Sequence, residues 1–301
     1  MIYYSCSIIL AVLATGNLTL ADSLFLEGTD GQRGTSVEAR LRLLNERRIV
    51  GVQFDLRLPG SQATARGALA LEGMARHLVS SRVVAGRLRV VVHSTTNAEL
   101  PTGGIVSLPL ALNPNSPRGG PAFRIDNVIF TNAAGQNIPA EMYYHPLEAW
   151  RLGRFTEDQI DDPQVIGDSM DPDGDGFTNI LEYLYSTNPL RADPPETAGR
   201  TLSRRLVSGP GGTQVPGPYV FSFDYPMAKG TDGVKLWIES TADLVRWDRE
   251  PALPVQVGSL DSTTDQMRLT IESNPRTLPR LLFRLGMARS DEAVPQPVPG
   301  S

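Results

Sequence analysis

The sequence predicts a mostly β protein in which a short helical segment separates an N-terminal β-sandwich from a small C-terminal β-sandwich. Three observations predict this class. Apolar and polar residues alternate in several runs between residues 22 and 140, and they alternate again after residue 218. Such period-two runs are typical of strands that bury one face in a sandwich. The residues between the two regions, at 145–190, show helical spacing instead.

The first 21 residues have the layout of a secretory leader. An apolar run from Ile8 to Ala14 is followed by short residues, and we expect cleavage after Ala21. A buried first strand or a membrane anchor is the alternative interpretation. The only cysteine, Cys6, lies in this segment, so the mature chain would hold no disulfide, catalytic cysteine or cysteine-based zinc site. We therefore expect a protein that is secreted and extracellular or on the cell surface.

Five strand patterns account for most of residues 22–140, and no helix of useful length interrupts them. The segment LEGMARHL at 71–78 is expected to form at most a short helical turn. Each run places apolar side chains on one face and polar side chains on the other, which favours a sandwich. The runs are Thr35–Asn45, Ile49–Leu58, Leu88–Val92, Val106–Leu112 and Phe123–Phe130.

The order of these runs resembles a cohesin domain. The segments that carry the resemblance are GTSVEARLRLLNERRIVGVQFDLRL, RLRVVVHS, GGIVSLPLAL and FRIDNVIFTNAAGQNI, within residues 22–140. The resemblance implies a jelly-roll sandwich that binds a dockerin-type protein module through one sheet face, or that holds polysaccharide-active machinery together. It rests on pattern and order, so no individual contact residue can be carried over. An unrelated immunoglobulin-like sandwich is the alternative.

Residues 145–190 are expected to form a helical linker. Leu147, Trp150, Leu152 and Phe155 follow helical spacing, and an acidic connection, TEDQIDDPQVIGDSM, comes next. A second short helix, NILEYLYSTNP, is expected to stop at Pro189. Residues 191–217 are rich in Gly and Pro and are interpreted as a flexible linker.

Strand patterns return in a C-terminal β module at 218–290, which a Pro-rich tail follows at 291–301. The module resembles a small β module of large secreted bacterial proteins with the pattern V-E-x-S-T-D-L-x-x-W … F-R-L. Ala242 departs from this pattern, and the resemblance implies no assigned activity. The residues that fit it are Glu239, Ser240, Asp243, Leu244, Trp247, Phe283, Arg284 and Leu285.

Residues 171–182, DPDGDGFTNILE, satisfy every position of the EF-hand calcium loop D-x-[DN]-x-[DN]-G-x5-E. The expected ligands are all oxygen donors, which suit Ca²⁺ and disfavour zinc or copper. An acidic, solvated turn is the alternative. The expected ligands are the carboxylates of Asp171, Asp173 and Asp175, the carbonyl of Phe177, Asn179 acting through a water, and the bidentate carboxylate of Glu182.

The loop has no second copy in the chain, and Thr178 stands where paired EF-hands usually place an aliphatic residue. It therefore resembles the single calcium repeats of thrombospondin type 3, although Ser186 and Asn188 replace the usual glycine and aspartate. A lone loop has no helix pair to open, so we expect a structural staple between two β domains rather than a switch. The expected dissociation constant is on the order of 10⁻⁴ to 10⁻³ M, as in extracellular modules.

Enzyme classes find little support in the sequence. His77, His93 and His145 share no metal-site spacing, and no hydrolase, zinc-protease or nucleotide-binding motif is present. A glycosidase needs only two carboxylates, and Asp55 or Glu239 could supply one. Trp150, Trp237 and Trp247 could stack on sugars, but such residues are more often packed in a core.

The sequence therefore predicts a secreted, non-catalytic, calcium-binding modular protein. Its expected partner is a polysaccharide or a dockerin-like protein module. The net charge of −5 gives no strong field for nucleic acid or an anionic membrane. A carbohydrate-active enzyme and a purely structural surface component are the alternatives.

Overall fold

The structure is a computed structural model that describes residues 22–29, 31–60, 62–192, 201–206, 219–231, 233–241, 245–250, 254–273 and 282–289. The expected leader, the Pro-rich tail and most of the expected 191–217 linker lie outside the described residues. The chain is mostly β, as the alternating runs predict. Among the described helices, none has the length and apolar character needed to cross a membrane.

Eleven strands and two sheets form the N-terminal sandwich. One sheet has the order β11-β1-β2-β8-β4, with β5 also paired to β8, and the other has the order β10-β9-β3-β7-β6. The strands are β1 (Ser23–Glu27), β2 (Ser36–Leu44), β3 (Ile49–Arg57), β4 (Ala63–Ala65), β5 (Leu69–Ala70), β6 (Leu78–Val84), β7 (Arg87–His93), β8 (Gly103–Leu112), β9 (Arg124–Asn132), β10 (Asn137–Ile138) and β11 (Glu141–Tyr143).

Inward side chains from both sheets form one apolar core, which confirms the faces that the alternation predicts. On β2, for example, Ala39, Leu41 and Leu43 are fully buried, while Glu38 and Arg40 on the other face are exposed. The five expected runs correspond to β2, β3, β7, β8 and β9. The alternation in the sequence does not predict strand β6, and residues 71–77 form turns without a helical turn.

Four short helices follow the sandwich: α1 (Pro146–Arg154), α2 (Glu157–Ile160), α3 (Pro163–Ile166) and α4 (Asn179–Tyr185). Thr156 and Gln159 form a capping box that begins α2, so the expected acidic connection contains two one-turn helices. Helix α4 ends at Tyr185, and the capping residue Ser186 has a left-handed backbone with φ 58°. The expected stop at Pro189 is therefore wrong, because the left-handed residue turns the chain out of the helix before the proline is reached.

The C-terminal module contains two small sheets, of orders β12-β13-β17-β16 and β15-β14-β18. Strand β12 falls inside the segment that the sequence analysis interprets as a flexible linker, and it pairs with β13 over its whole length. The strands are β12 (Thr201–Leu206), β13 (Tyr219–Ala228), β14 (Val234–Thr241), β15 (Asp248–Glu250), β16 (Val255–Ser259), β17 (Thr264–Ser273) and β18 (Leu282–Arg289).

A buried ionic cluster joins the helical segment to the C-terminal module. Arg289 of β18 donates two hydrogen bonds to the Asp168 carboxylate, at 2.8 and 3.1 Å, and lies 4.0 Å from Glu148 of α1. Glu148 also pairs with Arg151 at 3.3 Å. All four residues are less than a tenth exposed. Burial at this level requires such pairing, because an unpaired charge away from water is costly.

The sandwich reaches the same cluster through the loop after β8. Arg151 donates to the carbonyl oxygens of Gly120 and Ile166, and the backbone N–H of Asp168 donates to the carbonyl of Arg118. Gly119 lies directly against the Asp168 carboxylate and the Arg289 guanidinium. One cluster of charges therefore contacts all three parts of the chain.

We expect Gly119→Ala to destabilise the protein by roughly 1–3 kcal/mol more than Gly34→Ala, in line with the usual cost of overpacking. Both glycines have positive φ, 86° and 74°, so both substitutions strain the backbone. A Cβ at Gly119 would overlap the Asp168 carboxylate, whereas nothing lies within 4 Å of a Cβ at Gly34. Urea unfolding of both variants measures the difference. Equal losses of stability in the two variants would show that the Asp168–Arg289 ion pair can shift to accommodate the added Cβ.

Candidate metal centre

The loop at 171–176 is folded by its own aspartates. Asp171 accepts hydrogen bonds from the backbone N–H groups of Gly174 and Gly176, both at 2.9 Å. Asp173 accepts from the N–H of Asp175 at 3.2 Å, and Asp175 accepts from the N–H of Phe177 at 2.8 Å. Gly174 and Gly176 have φ of 77° and 92°, which lets the chain curl around the carboxylates.

This folding brings three carboxylates together. One ligand oxygen each from Asp171, Asp173 and Asp175 lies within 4.8 Å of the others. Within the part of the chain that the structure describes, no other group of three or more His, Cys, Asp or Glu side chains converges in this way. Oδ2 of Asp173 is buried without a hydrogen-bond partner among the described residues. Burial, with the neighbouring carboxylates, raises the pKa of Asp173 above its ordinary value.

The remaining expected ligands lie at the end of the loop and in the first turns of α4. The Asn179 side chain is 2% exposed and donates to the carbonyls of Val165 and Gly167, both at 2.7 Å. Its Oδ1 is buried and has no hydrogen-bond partner among the described residues. Glu182, one turn into the helix, is fully buried. Asn179 and Glu182 are therefore buried in the helix that follows the loop, while the converging group of carboxylates contains only the three aspartates.

The donors fit a hard divalent cation. Carboxylate, amide and main-chain oxygens are the ligands that Ca²⁺ takes, and the loop offers no nitrogen or sulfur ligand. A cation would offset the repulsion between three adjacent carboxylates and would supply a partner for the buried Asp173 oxygen. Asp171 is exposed, and Asp173 and Asp175 are half-buried, which is also the exposure expected of a solvated acidic turn.

Helix α4, which follows the loop directly, packs on both sides. Leu184 and Tyr185 belong to the core of the C-terminal module, together with Ile238 and Leu269. Tyr183 makes an edge-to-face contact with Trp150, with ring centroids 5.7 Å apart, and Trp150 packs on the core of α1–α3. Residues 145–190 are thus a packed segment between two cores. The sequence motif predicts the loop at 171–182, but it does not predict the packing of α4 between two cores.

Phe177 at loop position seven packs with the same C-terminal core. Its ring meets that of Tyr185 edge-to-face, with centroids 5.9 Å apart. Phe177 therefore ties the backbone that carries the expected carbonyl ligand to the C-terminal module.

The other candidates from the sequence have structural roles. Asp55 accepts two hydrogen bonds from Arg89, at 2.7 and 2.8 Å, and this pairing lowers the pKa of Asp55. Trp150 packs among helices, and Trp237 is 8% exposed beneath the Arg249 guanidinium, 4.1 Å from the ring centroid. Neither tryptophan offers a sugar-stacking face, as the core alternative predicts.

The histidines and the last tryptophan show no shared site. His77 is buried with Nε2 in hydrogen-bond contact with the carbonyl of Ala98, and His93 and His145 are exposed. Trp247 and Glu239 are half-buried. Asp168 and Arg289 form the buried ion pair beside the loop. Their pairing spans 121 residues and leaves no local sequence signal.

No protein-family model matches the sequence, and no curated protein matches it. Solved structures that resemble part of this chain include cohesin modules. A non-cellulosomal cohesin from the hyperthermophilic archaeon Archaeoglobus fulgidus shares 9% identity, covers 41% of this chain and 88% of its own, and has a TM-score of 0.35. The sixth cohesin from the scaffoldin B of Acetivibrio cellulolyticus was solved with a Cel5 dockerin. It shares 15% identity, covers 41% of this chain and 94% of its own, and has a TM-score of 0.36. A cohesin module from a Clostridium perfringens family 33 glycoside hydrolase shares 15% identity, covers 41% of this chain and 98% of its own, and has a TM-score of 0.34.

Proposed function

We propose that this protein is a secreted, non-catalytic, calcium-binding modular protein that uses its N-terminal sandwich to bind a partner. The observation that supports the calcium site best is the convergence of Asp171, Asp173 and Asp175 within 4.8 Å. Phe177, Asn179 and Glu182 would complete the ligand set. Glu182 would act from within α4, so calcium would connect the loop to the helix that follows it.

Calcium would act as a staple between modules. The loop is bounded by Asp168, which pairs with Arg289 of the C-terminal module, and by α4, which packs into the core of that module. Asn179 holds the carbonyls of Val165 and Gly167 at the end of α3. An ion that fixes the loop would therefore fix the position of the helical segment against the C-terminal module.

We place the partner on the outer face of the sheet β10-β9-β3-β7-β6. The strand register aligns Val91, Gln53 and Ile129 in one row across this face, and all three are half-buried or exposed. The next row contains Arg82 and Arg89. Apolar positions bordered by arginines are typical of protein interfaces. The resemblance to cohesins implies a dockerin-type module, and the described residues in the outward rows of this face include no Trp, Tyr or Phe for stacking on sugar rings.

Binding of dockerin modules and of immobilised polysaccharides to the purified protein tests the proposal. We expect a dockerin-type module to bind, and Arg82→Glu with Ile129→Glu to weaken that binding roughly tenfold or more. Arg40→Glu, on the outer face of the opposite sheet, is the matched control and should bind like the wild type.

Two outcomes would contradict the proposal. Retention on polysaccharide that ignores the sheet-face variants would place the binding site elsewhere. Release of reducing sugar that Asp55→Asn or Glu239→Gln abolishes would favour the enzyme alternative.

A further inference from the structure

Strand β6 (Leu78–Val84) is an edge strand with an unusually open side. Among the described strands it pairs only with β7, so its other side presents backbone N–H and C=O groups without a neighbouring strand. Six of its seven residues are exposed, and Leu78, Val83 and Val84 are 54%, 50% and 41% exposed. An exposed edge of this kind is a template for pairing with another strand.

The edge carries no bulge, although the chain just before β5 lies beside it and the backbone N–H of Ala68 donates to the Ser81 hydroxyl at 2.9 Å. Its register with β7 is regular over all seven residues, and Arg82 is its only charged residue. By contrast, the exposed edge strand β16 carries a register shift between Gln256 and Gly258, and bulges of this kind disrupt an edge. Strand β6 therefore differs from an edge that is protected.

The sequence of β6, LVSSRVV, is symmetric in character about Ser81. If two copies pair antiparallel about this residue, apolar residues meet apolar residues at both ends and polar residues meet in the middle. Arg82 then faces Ser80 and not another arginine. The opposed pairs are Leu78 with Val84, Val79 with Val83, Ser80 with Arg82, and Ser81 with itself.

This register keeps side chains on matching faces of the sheet and also avoids unfavourable pairs that involve Arg82. Directly opposed residues in an antiparallel pair point to the same side, so even-numbered residues of β6 must face even-numbered residues. A shift by two residues in one direction places Leu78 against Arg82. A shift in the other direction places Arg82 against its own copy, which like-charge repulsion disfavours. The centred register avoids both.

We propose that β6 is a homodimerisation edge, through which two copies of this chain pair antiparallel about Ser81. The interface is isologous, as expected for a two-fold dimer. It joins two five-stranded sheets into one ten-stranded sheet, and their outer faces then lie side by side. The proposal is independent of calcium, because it needs only the backbone edge and the side chains of β6. It shares Arg82 with the proposed partner face, so its test changes only Leu78 and Val84.

Sedimentation velocity and light scattering over a wide concentration series test this proposal on the full chain. Two double variants change the same exposed positions. Leu78→Glu with Val84→Glu places glutamates opposite each other at both ends of the pair. Leu78→Lys with Val84→Glu places opposite charges there instead. Circular dichroism checks that both variants keep the wild-type fold.

We expect the wild type to dimerise and the Lys/Glu variant to remain a dimer. The Glu/Glu variant should dissociate with a Kd roughly tenfold or more above that of the Lys/Glu variant, because each like-charge pair is unfavourable and each opposite pair is favourable. A wild type that stays monomeric throughout would overturn the proposal. Equal association of the two double variants would also overturn it, because the contact would then lie elsewhere.

Discussion

Removal of calcium should lower the melting temperature of this protein by about 5–10 °C, and Glu182→Ala should abolish that dependence. Free calcium at about 100 times the Kd adds about 2.7 kcal/mol to the stability of a folded state that alone binds it. For chains of this size, each kcal/mol shifts the melting temperature by about 2–4 °C. Glu182 is the fully buried carboxylate of the expected ligand set, so its loss should weaken binding most.

Calorimetric scans of the wild type and variants, with calcium and with EDTA, measure the effect. Asp158→Ala removes an exposed carboxylate from nearby α2 and should melt like the wild type in both conditions. If Glu182→Ala does not fold, Asp173→Asn keeps the size of a loop side chain while removing its charge. A wild type whose melting is the same in calcium and in EDTA would contradict the proposed site.

Arg289→Ala should destabilise the protein by about 3–5 kcal/mol, the usual cost of removing one partner from a buried ion pair. It leaves Asp168, which is 7% exposed, without its guanidinium. Asp168→Ala should cost less, because Arg289 still has Glu148 at 4.0 Å. The double variant should cost less than the sum of the single variants, since no uncompensated charge remains for the second change to create.

Urea unfolding of the three variants tests this order, and hydrogen exchange of α4 reports whether the helical segment loosens. Glu99→Ala removes one partner of the exposed Arg48–Glu99 pair and should cost less than about 1 kcal/mol. If the losses of stability from the two buried substitutions add, Asp168 and Arg289 act independently. That result would contradict a stabilising role for their contact at 2.8 Å.

Much of the fold could be predicted because alternation records burial directly. Strands β2 and β7 show it clearly, and their inward residues are buried as expected. In β3 the burial does not alternate, since Asp55 on the expected polar face is 1% exposed and paired with Arg89. The alternation does not predict strand β6, because six of its residues are exposed on an edge and produce no alternating pattern of burial. Strand β12 was missed because its flanking segments are rich in Gly and Pro, and its pairing with β13 is a long-range contact that no local pattern encodes.

The convergence of Asp171, Asp173 and Asp175 could be predicted because the three carboxylates are close in sequence and their spacing is set by the loop geometry. The surroundings of the loop could not. The pairing of Asp168 with Arg289 joins residues 121 positions apart. The packing of Leu184 and Tyr185 into the C-terminal core likewise depends on where α4 docks and not on its own sequence. Tertiary contacts of this kind turn an expected linker into a packed junction.

The position of Arg289 gives the junction a mechanical consequence. Arg289 is the last described residue of β18, and its guanidinium is anchored on Asp168, three residues before the first expected ligand. A pulling force on the chain beyond β18 would act on this pair together with the pairing of β18 and β14. If calcium occupies the proposed site, the force needed to separate the junction would rise with the calcium concentration.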